Sequence, residues 1–384
     1  MKVIQISPVA PPQRSGMANA AGEIYKATKN AGVDVDLVAA FGDSTIPGLK
    51  HWHIPGAGFL ASTPKIVSLA KQYDIIHLHY PCYGNALMVS LARMLGNKKP
   101  LIVSYHMDTV GRGLRRPVFW LHRKFFAPRF LRQASVIVVA SRDYAEHSLL
   151  AKYPELMSKV VEIPFGVDTT RFHPTAIGFP REGRPAPRSR SEVGERGSVL
   201  FVAALDEQHY FKGLHVLLEA MVKVPGAKLT IVGDGNLKNK YIKKAEELKL
   251  GDRVIFAGRV SDEELPKYYQ DADLFCSASV DKSEAYGIVL MEAAASGLPA
   301  VATNIAGVRS VVEDGETGLL VPPNDPAALA EALRDMLSDA ALLAKMGQSA
   351  REFALTRTWK SAGDKYMEIY KALLRTKNQE PISK

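Results

Sequence analysis

Glu284-Ala285-Tyr286-Gly287-Ile288-Val289-Leu290-Met291-Glu292-Ala293-Ala294-Ala295-Ser296-Gly297-Leu298-Pro299 sets two carboxylates eight residues apart around a glycine and the first turns of a helix. From Ile288 to Ala295 the residues are apolar or alanine, good helix formers, and Ser296-Gly297 with Pro299 beyond them stops the run. A short buried helix is the expectation, with Glu284 in the loop ahead of it. The amides of Tyr286, Gly287 and Ile288 then become the unpaired donors of the helix N-terminus. Such donors favour an anion such as a diphosphate, and Gly287 lets the backbone come close to it. Glu292, one turn inside, is placed to reach ribose hydroxyls. The stretch therefore suits a phosphorylated sugar ligand.

Outward from this stretch the chain alternates short apolar runs with helical patterns. Val3–Ser7, Val35–Ala39, Ile75–Tyr80, Leu101–Tyr105 and Val136–Ala140 read as strands, with a helix near Ala18–Asn30. After Thr175 to Gly197, which is rich in Pro, Gly, Arg and Ser and reads as a linker or mobile excursion, the rhythm resumes. Val199–Ala203, Lys228–Val232, Val254–Ala257, Leu274–Ala278 and Ala300–Thr303 are strand-like, with helical patterns near Leu214–Lys223 and Leu237–Leu248. This is the βα order of parallel, doubly wound sheets, and it implies two facing Rossmann-like domains. The 384-residue length fits two domains better than one. The expected division is 1–180, a linker over 181–197, 198–358, and a last helical segment over 359–384.

Composition excludes several classes. With 47% hydrophobic and 23% charged residues the chain is globular rather than disordered. Two cysteines, Cys82 and Cys276, cannot build a disulfide framework, which suits a reducing cytoplasm. No apolar run reaches the ~18 residues of a membrane span, and Met1-Lys2 leads directly into a strand, leaving no room for a signal peptide. The net charge of +9 is uneven: residues 1–174 hold 21 basic against 11 acidic residues, whereas 198–384 hold 23 against 26. A basic first half points to an anionic partner there, a membrane surface or a phosphorylated acceptor.

The Glu-x7-Glu pattern is followed by Ala300-Val301-Ala302-Thr303 and by Gly315-Glu316-Thr317-Gly318-Leu319-Leu320-Val321-Pro322-Pro323. In that order the three elements resemble the donor-site signature of retaining GT-B glycosyltransferases of family 4. The resemblance implies the GT-B fold, α/β with a C-terminal helix returning to the N-terminal domain, and transfer of a hexose from a nucleoside diphosphate sugar. It implies no cofactor beyond that donor substrate. Glu284 would bind and orient the sugar, while Glu292 and the Tyr286, Gly287 and Ile288 amides hold the nucleotide. Lys212, at a helix start after a strand, would meet the diphosphate as a point charge. His106, in Ser104-Tyr105-His106-Met107-Asp108, aligns with a histidine beside the transferred sugar and ends a strand on the ligand-binding side of an open sheet. Val260 lies near where the base is held. Gly16 stands in the first βα turn, which lacks Gly-x-Gly-x-x-Gly; it is either a diphosphate contact or a plain turn glycine. The family arginine upstream of the lysine is missing, its place reading Ala203-Ala204-Leu205-Asp206, with Asp206 and His209 in the loop.

Other patterns are weighed against simpler readings. His77-x-His79 on a strand can open a metal site, but the downstream ligands of a hydrolase are missing. Asp271-Ala272-Asp273 resembles a metal motif of another glycosyltransferase fold, yet its place before Leu274 suits a helix end, so no metal is expected. Residues 112–132 carry Arg112, Arg115, Arg116, Arg123, Lys124, Arg129 and Arg132 with no acid, among Val118, Phe119, Trp120, Leu121, Phe125, Phe126 and Phe130. Such a segment either lies on an anionic membrane surface or is a helix with an aromatic core face and solvated cations. Pro117 and Pro128 suggest a helix only between them. The function implied is hexosyl transfer to a glycan or lipid-linked acceptor at the inner, cytoplasmic membrane face. A GT-B epimerase or phosphorylase, or a basic nucleic-acid-binding protein, are the rivals; no nucleic-acid reading motif accompanies the charge, so no nucleic-acid partner is expected.

Overall fold

The computed structural model describes residues 1–12, 15–52, 60–109, 116–175 and 197–379, with side chains as far as Arg375. Arg112, Arg115 and the expected linker residues 181–196 lie outside the described residues. The chain forms two compact units, Met1–Gly166 with Trp359–Lys384, and Val167–Thr358.

The first unit is built on a six-stranded parallel sheet in the order β2-β1-β3-β4-β5-β6. Its strands are β1 (Lys2–Val9), β2 (Asp34–Phe41), β3 (Ile75–Tyr80), β4 (Leu101–Tyr105), β5 (Val136–Val139) and β6 (Val160–Glu162). The central strands are buried on both faces, as an all-parallel sheet requires, which is why they read as continuous apolar runs. Period-two alternation sorts the remaining residues of β3 and β4 onto two faces. His77 and His79 share one face, with Ser104 paired opposite His79. Tyr80 and Tyr105 pair on the other face, their rings stacked 5.5 Å apart.

The C-terminal helix Trp359–Gln379 covers the histidine face, bringing Tyr366 and Tyr370 onto His77. It also crosses the Gly16–Asn30 helix, where a Cβ on Gly363 would come within 2.7 Å of the Ala27 carbonyl oxygen. The tyrosine face is covered by residues 116–132. There the sequence expectation of a helix between the prolines is corrected: Arg116–Leu121 and Ala127–Arg132 are α-helical and a π turn, His122–Phe126, joins them. The Ala127 amide donates back five residues to the His122 carbonyl, and Pro128 follows at the start of the next turn, where its missing N–H is no loss.

The second unit has a six-stranded parallel sheet in the order β12-β11-β10-β7-β8-β9. Its strands are β7 (Ser198–Val202), β8 (Lys228–Val232), β9 (Val254–Gly258), β10 (Leu274–Ser277), β11 (Ala300–Thr303) and β12 (Gly318–Val321). The chain winds outward from β7 in one direction, then restarts at β10 on the other side. The strand order therefore reverses between β7 and β10, and open α/β sheets bind ligands at the carboxyl ends of the strands at such a point. Asp273 lies at the opposite edge. Its carboxylate accepts from the Ser198 amide at 2.9 Å and the Ser198 hydroxyl at 2.7 Å, tying the start of β10 to the start of β7.

Candidate active site

At the carboxyl ends of β7 and β10 the loops are locked together by backbone contact. Gly213 has φ +72°, and a Cβ there would lie 1.8 Å from the Ala278 carbonyl oxygen, so only glycine lets the two loops meet. The Val280 amide donates to the Phe211 carbonyl at 2.7 Å across the same junction. From the β8 side, Gly233 and Gly235 press on Ala203 and Leu205, and the Leu205 amide donates to the Asp234 carbonyl at 2.9 Å. Gly233-Asp234-Gly235 is thus a structural clamp on the loop after β7.

This junction pairs Lys212 with Glu284. The lysine ammonium and the Glu284 carboxylate form a hydrogen-bonded ion pair, and Glu284 is buried. Ser279 donates its hydroxyl to the same carboxylate oxygen at 3.3 Å, and Thr303, at the end of β11, donates to the Ser279 carbonyl at 2.6 Å. A buried ion pair needs such extra hydrogen bonds to offset its desolvation. Lys212 and Ser279 therefore hold Glu284 directly, and Thr303 braces Ser279 from behind.

The helix expected after Gly287 runs over Ile288–Ala295. Gly287 sits at its N-cap with φ 91°, and no side chain caps it among the described residues. The Ile288 amide and its neighbours thus open the helix with the glycine backbone alone. The C-terminus is closed on both counts: the Leu298 amide donates to the Ala293 carbonyl and the Gly297 amide to the Ala294 carbonyl, each at 2.9 Å, a Schellman ending. Arg351 adds its guanidinium to the Ala295 carbonyl. The helix is thereby fixed from behind while its positive end lies at the site.

Glu292 is half-buried and accepts a hydrogen bond from the Tyr269 hydroxyl at 2.7 Å. Burial raises its carboxyl to about 7, against the opposing effect of Tyr269 and of the Arg171 charge. Val260 follows β9, at the same strand-end edge of the sheet, just after Gly258 in its left-handed conformation. The loop that lacks the family arginine is closed on itself: Asp206 accepts from the amides of Gln208 and His209 and from the His209 ring, at 2.8 to 3.0 Å. Asp206 is therefore an Asx turn and a His209 partner.

The first unit holds Gly16 and His106. Gly16 opens the helix after β1; Ser15 caps it, accepting from the Ala18 amide at 3.1 Å. A Cβ on Gly16 would meet nothing within 4 Å, so packing does not demand glycine there. His106 follows β4, its ring nearly coplanar with that of His79, centroids 5.2 Å apart, with Phe165 on another side at 5.5 Å. Burial lowers its imidazole to about 4, so the ring is neutral. His77 is spent on hydroxyls, its two nitrogens meeting Tyr370 at 2.8 Å and Ser104 at 2.7 Å. Sequence reasoning missed Ser279, Tyr269 and Thr303, because their roles come from contacts between chain segments and nothing in their own neighbourhoods marks them.

Two family profiles cover most of the chain: residues 14–171 match Glycosyltransferase Family 4, and residues 186–353 match Glycosyl transferases group 1. A phosphatidyl-myo-inositol mannosyltransferase of Mycolicibacterium smegmatis is 29% identical over 87% of this chain and 76% of its own length. The D-rhamnosyltransferase WbpZ of Pseudomonas aeruginosa is 32% identical over 76% of this chain and 73% of its own. The Anabaena protein Alr3699/HepE, solved in complex with UDP-glucose, shares the fold with a TM-score of 0.68 at 19% identity, covering 97% of this chain and all of that one.

Two measurements test this geometry. Gly213→Ala combines a positive φ with a backbone clash, so a loss of about 2 kcal/mol or more in urea unfolding is expected. Glu292 binds its proton more tightly folded than unfolded, its carboxyl moving from 4.5 to about 7. Its contribution to stability is therefore full below pH ~4.5, falls as the pH rises towards 7, and is lost above it. The Tm of Glu292→Gln relative to wild type should accordingly improve between pH 5 and pH 8; a difference independent of pH would contradict the assignment.

Proposed function

The chain belongs to the glycosyltransferases of family 4, and from that premise we propose that it is a retaining hexosyltransferase using a UDP- or GDP-sugar. The observation that supports this most directly is the Lys212–Glu284 pair at the reversal of the strand order, beside a helix N-terminus that no side chain among the described residues caps. The donor diphosphate takes the Tyr286 to Ile288 amides and the Lys212 ammonium. Glu292 receives the ribose hydroxyls, Val260 borders the base, and Gly16 lies open for a phosphate contact. Once the diphosphate draws Lys212, Glu284 is free to bind the sugar hydroxyls and orient the anomeric carbon.

In the reaction, the bond from the anomeric carbon to the diphosphate oxygen breaks with its electron pair on the leaving group. The acceptor hydroxyl oxygen bonds to that carbon on the same face, and its proton passes to the departing diphosphate. Lys212 and the helix amides stabilise the charge that develops on the leaving group, so the step is proposed to need no metal ion or cofactor. His106, a neutral imidazole, is proposed to act on the sugar or acceptor as a hydrogen-bonding group. The acceptor is a glycan or a lipid-linked acceptor, the relatives being a phosphatidyl-myo-inositol mannosyltransferase and a D-rhamnosyltransferase.

The direct test measures nucleoside diphosphate released from a panel of UDP-, GDP- and ADP-sugars, with EDTA present. Release from one UDP- or GDP-sugar, reduced about a hundredfold or more in Glu284→Ala, is expected. Turnover unchanged in the variant would overturn the role of Glu284.

We also propose that the first unit docks on an anionic membrane face. No helix among the described residues is long and apolar enough to cross a membrane. The surface has a different character: Val118, Trp120, Leu121 and Phe125 are exposed, and so are Leu87, Leu91 and Met94 along the Tyr83–Met94 helix and Leu95 at its C-cap. The two helices adjoin, with Tyr83 packed 3.7 Å from the His122 ring. Residues 83–133 carry ten Lys and Arg against one acid, Asp108, which is buried and paired with Arg123 at 2.8 Å. Arg132 is taken by Glu155 at 2.7 Å, whereas Lys124 lies over the Trp120 ring at 4.8 Å. Apolar side chains flanked by cations fit an anionic bilayer surface. Sedimentation with anionic phospholipid vesicles should exceed that with neutral ones, weaken in salt and fall in Trp120→Ala; equal sedimentation with both would reject it.

A further inference from the structure

Three imidazoles line up along one face of the first sheet. The ring centroids of His77 and His79 are 4.7 Å apart and those of His79 and His106 5.2 Å apart. His77 and His79 have no exposed surface, and His106 alone of the three keeps any, 9%. His77 has both nitrogens satisfied by Tyr370 and Ser104, and Ser104 in turn meets the Tyr366 hydroxyl at 2.9 Å. His79 differs. Its Nδ1 lies 2.9 Å from His106 Nε2, and its Nε2 has no hydrogen-bond partner among the described residues.

A neutral imidazole carries one N–H and one lone pair. Burial disfavours the charged form of all three rings. A single hydrogen then lies between His79 Nδ1 and His106 Nε2, and it belongs to one ring or the other. If His106 supplied it, the hydrogen of His79 would sit on Nε2 as a fully buried N–H without a partner. Orphaned buried N–H groups are rarer in proteins than under-satisfied acceptors. The hydrogen therefore resides on His79 Nδ1, and His106 Nε2 accepts it.

We propose that His79 is a positioning residue that fixes the tautomer of His106, leaving the hydrogen of His106 on Nδ1 as a donor for a sugar or acceptor oxygen. This rests on the reading above that His106 takes part in transfer, and it adds which nitrogen bears the proton and what holds it there. The ring column, closed below by the tyrosines of the C-terminal helix, keeps His79 from turning. His79 thus acts on the reaction through His106, with no substrate contact of its own.

The test combines ¹⁵N-histidine NMR with kinetics on the full chain at neutral pH. In the wild type His106 should show a bare Nε2 and a protonated Nδ1. His79→Leu, which removes the donor, should move His106 towards the Nε2–H tautomer and lower kcat about ten- to a hundredfold with the donor KM nearly unchanged. His79→Asn, whose amide nitrogen can stand near the place of Nδ1, should restore most of both signals. Protonated Nε2 in the wild type, or an Asn variant as impaired as the Leu variant, would overturn the proposal. The expected tautomer together with an unaffected kcat in His79→Leu would also overturn it. That last result would leave the donor site standing, since Glu284→Ala tests it separately.

Discussion

The contact between Gly213 and the Ala278 carbonyl sets the geometry on which the second unit's site depends. It brings the loop after β7 against the loop after β10 more closely than any side chain allows. Only at that separation can Lys212 meet Glu284, and only with Ser279 and Thr303 fixed behind it is the buried carboxylate supported. Breaking such a pair by removing one partner leaves an uncompensated charge, so the site is tied to the packing beneath it. The strand order makes the same place a crevice, because the winding reverses there.

The site is stiff where it must be and open where charge must enter. Behind the Ile288–Ala295 helix, Arg351 and the Schellman turn consume the carbonyls; at its front Gly287 gives the chain its turn without spending a side chain on the amides. Glu292 and Tyr269 form a second polar pair, in which burial raises the carboxyl to about 7. In the first unit the polar groups are arranged differently. His77, Ser104, Tyr366 and Tyr370 satisfy one another in a buried network between the sheet and the C-terminal helix. Buried polar networks specify one packing, because a half-made one is costly. Here that network places the His77 ring against His79, the ring next to His106, with centroids 4.7 Å apart.

Several features were legible in the residues alone. Continuous apolar runs separated by helical patterns are what a parallel sheet buried on both faces demands, so the βα order of both sheets follows from hydrophobic periodicity. The helix from Ile288 to Ala295 could be read with its ends, since Gly287 and Ser296-Gly297-Leu298-Pro299 carry their own conformational signals. The π turn at His122–Phe126 was not legible, because Pro117 and Pro128 read locally as helix limits and only packing of the aromatic face keeps the helical path going. The cations of 112–132 looked unopposed in sequence, yet Asp108 and Glu155 arrive from elsewhere in the chain to pair two of them.

The sequence by itself determined the strand and helix order, the family signature around Glu284 and Glu292, and the glycines where the backbone must turn. These are local properties, set by propensity, periodicity and φ. Which strand lies beside which, and hence that β7 and β10 meet with Lys212 facing Glu284, was decided by the tertiary structure, since Lys212 and Glu284 are 72 residues apart. The same holds for Tyr269 with Glu292, and for Tyr370 with His77, 293 residues distant. Partners at such separations leave no local pattern, because their closeness comes from the winding of the sheet and the burial of the side chains between its layers.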